Sequence, residues 1–446
     1  MKKYDTYKNS GVEWLGEIPE HWEIRKIKYL FKEINERSSD GTEDLLSVSQ
    51  YTGVTKKADK IDEGDLITNA ASLEGYKKVF KNDLVSNIML AWNGSLGFSP
   101  FDGITSPAYS VYRLNKNNYE RYFHYLLRSQ IYKSEFKRNS SGVIESRLRL
   151  YTENFYSIWS LLPPLSEQQK IATFLDEKTT KIDQAIAQKE DLIALLKERK
   201  QIIIQDLVTG KKVWNQEKQE WTKPTEVKDS GVEWIGEIPK EWEVKRLKYI
   251  LNEPLKYGAN ESGIDYSPNL PRYIRITDFS LGGKLNTEKK LSLSWEIGIN
   301  YLLEDGDILF ARSGATVGKS YQFRKSMSIE KHYAFAGYLI KASPNSNLVL
   351  SDFLNYYTIS GSFESWKNSI FNKATIENIG ADKYNELQIP LPPLKIQSKI
   401  VHHIETETSK IDRTISLQEQ AIERLKELKA TLIDSAVTGK MKVNEK

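Results

Sequence analysis

The sequence predicts an α+β protein in which two mixed, strand-rich domains are separated by two long antiparallel helices. The helices are expected to form an intramolecular coiled coil, giving the chain pseudo-two-fold symmetry. Three observations carry that expectation. A ten-residue block returns 220 positions later, a fifty-residue block returns 229 positions later, and the fifty-residue block has no proline or glycine across most of its length. A chain of 446 residues also exceeds one ordinary domain, and internal repetition decides how it must be divided.

The first repeated block is Ser10-Gly11-Val12-Glu13-Trp14-Leu15-Gly16-Glu17-Ile18-Pro19, which returns as Ser230-Gly231-Val232-Glu233-Trp234-Ile235-Gly236-Glu237-Ile238-Pro239. Trp22-Glu23 and Lys28-Tyr29 follow it and return as Trp242-Glu243 and Lys248-Tyr249. Next come stretches that show no comparable similarity, about 32–161 and 252–390. Their apolar runs Asp83–Trp92 and Asp307–Arg312 are bounded by Gly, Asn or Ser and predict strands. Tyr119 to Lys137 and Leu350 to Trp366 carry helical spacing.

The second repeated block opens on Leu162-Pro163-Pro164-Leu165 and again on Leu391-Pro392-Pro393-Leu394, with 23 of 50 positions identical between 162–211 and 391–440. A proline pair cannot sit inside a helix and marks its start. Ser166 and Gln169 have capping-box spacing, and Gly210 stands where a C-terminal cap belongs. Leu175, Ile182, Ile186, Ile193, Leu196 and Ile203 recur at helical steps, matched by Ile404, Ile411, Ile415, Ile422, Leu425 and Leu432. About 45 residues at 1.5 Å each make a helix of roughly 65–70 Å. An apolar stripe of that length needs a partner, and the obvious one is the other copy, paired antiparallel.

Composition narrows the chemistry. The chain has no cysteine and only five histidines, which removes disulfides, Cys-ligated zinc, iron–sulfur clusters and thiol nucleophiles. The N-terminus lacks an apolar core of the signal-peptide kind, and no apolar run approaches a membrane span. The expectation is a cytoplasmic protein. Net charge is only +4, but Arg121–Arg149 holds seven basic residues against Glu135 and Glu145, and Phe310–Lys331 holds five against Glu330. Such runs can neutralise phosphates, although most charge runs are solvated faces.

Near-miss motifs fail on spacing. Gly314-Ala315-Thr316-Val317-Gly318-Lys319-Ser320 has three residues between its glycines where a phosphate loop needs four, and a strand pattern follows where a helix is required. Ser106-Pro107-Ala108-Tyr109 lacks the second proline of an amino-methyltransferase loop. No zinc spacing, nuclease cluster or nucleophile elbow is present in the sequence. The chain is built as a binder rather than a catalyst.

Two divergent domains, each followed by a Leu-Pro-Pro-Leu-led helix that ends in Val-Thr-Gly, resemble the specificity subunit of type I restriction-modification enzymes. Pro163-Pro164-Leu165-Ser166-Glu167-Gln168-Gln169-Lys170-Ile171-Ala172 is close to that family's helix start. The second copy departs from it with Ile396 in place of glutamate. Asn82–Gly94, Gly306–Gly314 and Arg272–Asp278 are similar to segments of the family's target-recognition domains.

The resemblance implies a first target-recognition domain at 1–161, a central long helix at 162–211, a second target-recognition domain at 212–390, and a C-terminal long helix with its tail at 391–446. It implies a non-catalytic subunit that reads a bipartite, asymmetric target in double-stranded DNA. One copy per complex would dock two methyltransferase subunits that bring AdoMet and motor-nuclease subunits that use ATP and Mg, with no cofactor on this chain. DNA contacts are expected at Lys77, Lys78, Asn87, Trp92, Asn93 and Tyr109 in the first domain and Arg272, Arg275, Arg312 and Lys319 in the second, because Arg pairs with guanine and Asn with adenine. A coiled-coil scaffold for protein partners, or an adaptor serving a methyltransferase alone, are the rival readings.

Overall fold

The computed structural model describes residues 2–60, 72–144, 148–279, 285–286, 288–314, 316–371 and 378–443. Two compact units emerge: one takes Met1–Glu190 with Glu419–Lys446, the other Asp191–Gln418. This division differs from four consecutive segments, because each unit takes part of each long helix.

The long helices run Leu165–Val208 and Leu394–Val437, 44 residues each. All twelve apolar positions expected on their seam are buried or half-buried. In the first unit Lys429 pairs with Asp183 at 2.6 Å, and in the second Lys200 pairs with Asp412 at 2.7 Å. Positions rise along one helix as they fall along the other, so the pairing is antiparallel. Asp183 and Asp412 are equivalent at the 229-residue offset, as are Lys200 and Lys429, so one ion pair has been built twice.

Ser166 is not the cap that its spacing suggests. It falls inside the first turn of a helix that begins at Leu165. Gln168 organises this start instead. Its fully buried amide donates to Pro163 O at 2.9 Å and to Asn118 Oδ1 at 3.1 Å, and accepts from Tyr119 N at 2.9 Å. Gln397 repeats the arrangement with Pro392 O, Leu348 O and Leu350 N. The expected glycine caps are present: Gly210 and Gly439 adopt φ of 75° and 74°, the left-handed region that glycine enters without penalty.

The divergent middle stretches share a frame that their sequences conceal. In the first unit an antiparallel sheet runs Phe31–Ile34, Tyr109–Leu114, Asp83–Asn87, Leu96–Phe98 across its width. In the second, Lys256–Tyr257, Leu339–Ala342, Ile308–Ala311 and Ser320–Gln322 stand in the same order. Each helical stretch is two short helices, Glu120–Leu127 with Gln130–Arg138 and Ser351–Thr358 with Gly361–Phe371. What differs is the added layer. The first unit carries a two-stranded ribbon, Leu46–Ser49 with Gly53–Lys56, and the pair Lys77–Val79 with Gly103–Thr105. The second carries a four-stranded mixed sheet in which Arg272–Ile274 runs parallel to Tyr333–Phe335.

Each core joins a frame to both helices. Phe31, Leu84, Tyr112, Tyr122, Phe123 and Phe155 pack with Ile171 and Leu175 of the first helix and Leu432, Ala436 and Val437 of the second. In the other unit Phe310, Ile340, Phe353 and Tyr357 pack with Ile204, Leu207 and Val208 and with Ile400 and Ile404.

Candidate nucleic-acid interface

A cation reads DNA only if its charge is not already spent within the fold. In the second unit most of the expected cations are engaged. Arg272 is 2% exposed, lies 3.5 Å from Glu330 and donates to Asn286 O, with Tyr333 beneath its guanidinium. Its inward aim follows from its place on a strand buried throughout. Arg275 makes a two-pronged pair with Asp278, 3.1 Å from Nε and 2.9 Å from Nη2, which holds the guanidinium pKa above its ordinary value. Lys319 Nζ is drawn to Phe279 O and to the Phe279 ring, and burial lowers its pKa. Arg312 differs. It stacks over Tyr257 at 5.1 Å, and its buried Nε has no hydrogen-bond partner among the described residues.

In the first unit the structure brings Asn87, Tyr109 and Trp92 together. Asn87 and Tyr109 face each other across adjacent strands, and Asn87 Nδ2 donates to Tyr109 Oη at 3.3 Å. Asn87 Oδ1 accepts from Met89 N, and Trp92 Nε1 donates to Met89 O at 3.0 Å, so all three gather at the Met89 turn. Lys137 lies 5.3 Å over the Trp92 ring. Asn93 is half-buried in the short helix after it. Lys77 and Lys78 sit apart, on the strand pairing with Gly103–Thr105. Lys78 pairs with Glu43 at 3.4 Å, and Lys77, nearly buried, lies 4.0 Å from Glu33 with its pKa lowered by burial.

Part of each basic run is likewise used internally. Arg121 pairs with Asp176, Arg138 with Glu135 and Arg324 with Asp352. Arg147, Glu145 and Ala315 lie outside the described residues. Two arrangements escaped the sequence reading. Glu167 accepts hydrogen bonds from the Tyr4 hydroxyl, from Trp22 Nε1 at 3.0 Å and from His21 Nε2 at 2.8 Å, where the second copy has Ile396 and Glu241 in place of Glu167 and His21. Arg128 sends its guanidinium to four backbone carbonyls, Ser49 O, Gln50 O, Tyr51 O and Leu96 O. The alternation Leu46-Ser47-Val48-Ser49 before Gln50-Tyr51-Thr52-Gly53 was the available signal for the hairpin that Arg128 holds. Among the described residues no cluster suits a metal ion, and no helix is long and apolar enough to cross a membrane.

Comparison with known proteins shows the family and the fold. A family model described as the type I restriction modification DNA specificity domain matches residues 19–194 and 239–427. The type I restriction enzyme EcoBI specificity subunit of Escherichia coli is 25% identical over 327 residues, which is 72% of this chain and 66% of that protein. The StySPI specificity subunit of Salmonella potsdam is 22% identical over 444 residues, 96% of this chain and 90% of that one. Among solved structures, a chain from work on complex assembly and conformational transition of the type I R-M system superposes with a TM-score of 0.68 at 18% identity, covering 95% of this chain and 99% of that one. The HsdS subunit from Thermoanaerobacter tengcongensis superposes with a TM-score of 0.52 at 17% identity, covering 95% and 98%.

Proposed function

Because the chain belongs to the type I restriction-modification DNA specificity family, we propose that it reads a bipartite, asymmetric DNA target, one part with each middle stretch. The DNA-specificity role comes with the family; the division of the target is our reading. The observation that supports it is a frame used twice with different added layers. Two unlike surfaces on one frame suit two unlike half-sites, and the major groove distinguishes all four base pairs by edge pattern. The antiparallel helices act as the ruler that sets the unread spacer. The repeated blocks give two copies of one methyltransferase subunit equivalent places to dock, and motor-nuclease subunits join that assembly.

This chain holds and aims the DNA. AdoMet belongs to the methyltransferase subunits, ATP and Mg to the motor-nuclease subunits, and an adenine leaves the duplex into the methyltransferase. Tyr109, Trp92 and Asn93 in the first unit and Arg312 in the second are the expected residues best placed for contact, whereas Asn87 is buried with its amide engaged by Tyr109 and Met89 N and serves to position them. Arg272, Arg275 and Lys319 serve by holding the backbone that presents their neighbours. The test is to co-express the chain with its methyltransferase partner in a methylation-free host and map modified adenines. A split, asymmetric motif with a fixed gap, lost when this chain is omitted, is expected. Absence of modification from an assembled, folded complex refutes the reading.

A further inference from the structure

The ribbon Leu46–Ser49 with Gly53–Lys56 has features that no fold requirement explains. Its inner face, Leu46, Val48 and Val54, is buried in a small apolar cluster, while Ser47 and Thr55 are paired on the other face with hydroxyls 3.3 Å apart. The turn between the strands places Tyr51 at 83% exposure. From Leu45 to Lys57 there is no Asp or Glu. The exposed chemistry of the turn is therefore hydroxyls, the Gln50 amide and one aromatic ring; the carboxylate beside the ribbon, Asp44, is paired with Lys56 at 2.6 Å at the far end of the strand from the turn.

The turn is also held rigidly from behind. Arg128 Nη2 donates to Gln50 O at 2.7 Å and Tyr51 O at 3.2 Å, and Nη1 to Leu96 O at 2.8 Å and Ser49 O at 3.5 Å. Among the described residues no carboxylate pairs with this guanidinium, so its positive charge stays uncompensated beneath the turn. Gly53, at φ 70°, brings the backbone close to Arg128: a Cβ there would lie 3.2 Å from Nη1. A Cβ on Gly97 would lie 3.2 Å from Gly53 Cα, so the ribbon rests on the frame strand Leu96–Phe98 through a glycine-to-glycine approach. With the turn's carbonyls gathered on one side, its side chains are left to the other. A two-stranded ribbon is one of the two elements that the major groove admits.

We propose that this ribbon is a base-reading element of the first unit, that Gln50 and Tyr51 are its specificity-determining residues, and that Arg128 is the positioning residue that presents them. The inference rests on the DNA-specificity reading above and adds the segment that performs it. Gln offers the paired donor and acceptor that match adenine, and a tyrosine offers its ring to a thymine methyl or its hydroxyl to a base edge.

The test presents the full chain, bound to its methyltransferase partner, with a pool of random-sequence duplex DNA and sequences the bound fraction. The wild type is expected to enrich a two-part sequence. The double variant Gln50→Ala/Tyr51→Ala is expected to lose preference at one or two base pairs of one part, by roughly 5- to 150-fold per pair, with the other part kept as an internal control of folding. Arg128→Gln is expected to blur the same base pairs, and Arg128→Lys, which cannot span four carbonyls, to rescue them only partly. A double variant with the wild-type preference, or one that loses both parts equally, overturns the proposal. A wild type that enriches no sequence overturns the underlying specificity reading, and the proposal with it.

Discussion

Gln168 and Gln397 offer a paired perturbation in which each copy is the control for the other. Replacing Gln168 by leucine keeps its volume but leaves Tyr119 N–H and Pro163 C=O without their partner. Each orphaned buried polar group costs about 1–3 kcal/mol, so the two together cost about 2–6 kcal/mol; leucine recovers part of that by its apolar burial, and the net cost is about 3 kcal/mol. At 1.4 kcal/mol per factor of ten, local opening becomes roughly 100-fold more frequent. Hydrogen exchange reads this directly, since amides protected by local opening exchange in proportion to it. Glu120–Leu127 and the first turns of Leu165–Val208 are expected to exchange faster in Gln168→Leu, with Ser351–Thr358 unchanged. Gln397→Leu is expected to give the reverse. Acceleration of both regions by either variant, or of neither, refutes the assignment of these amides as local fasteners.

Glu167→Ile, which copies the second repeat into the first, strips the partner from the buried Trp22 indole and the Tyr4 hydroxyl; a loss of about 1–3 kcal/mol is expected as a lower urea midpoint, and an unchanged midpoint counts against the cluster. Gly439→Ala is expected to cost at least about 1–2 kcal/mol from its left-handed backbone alone, and more because the new Cβ would lie 2.5 Å from Pro19 Cδ; thermal unfolding at the wild-type temperature would refute it. Burial, then Arg128 and Arg121, lower the His124 pKa from 6.5 to about 3. Between those values the unfolded chain binds a proton that the folded chain refuses, so stability is present above pH 6.5 and is lost as pH falls. By pH 5 the loss is roughly 2 kcal/mol, and His124→Gln is expected to shrink the difference between urea midpoints at pH 7 and pH 5; an unaltered difference would show that His124 does not drive it.

The long helices were legible because their signals are local. A proline pair starts each, glycine ends each, and the apolar step between needs no knowledge of distant residues. The shared four-stranded frame was hidden because its register is non-local: Phe31–Ile34 finds Val111–Leu114 across some eighty residues whose sequence diverges from the other copy. Site residues were the least legible. On paper Arg272 and Arg312 look alike, yet Glu330 neutralises one from 58 positions away while the other keeps a buried Nε unpartnered. Whether a cation is spent depends on partners that only folding brings together. Arg128 failed in the opposite sense. Its partners are carbonyls, which every residue has, so no side-chain pattern announced them.

Because each core takes the start of one long helix and the end of the other, the order of assembly on the ribosome is inverted. The second unit is continuous from Asp191 to Gln418, so it can close as soon as that stretch has emerged. The first unit is synthesised earlier but must wait, because Leu432, Ala436 and Val437 belong to its core and the Tyr122 hydroxyl donates to Val437 O. The part made first is thus finished last. Until then the apolar residues of the early part stay open, and the partly made chain has its greatest need of chaperones just when its later part is already native.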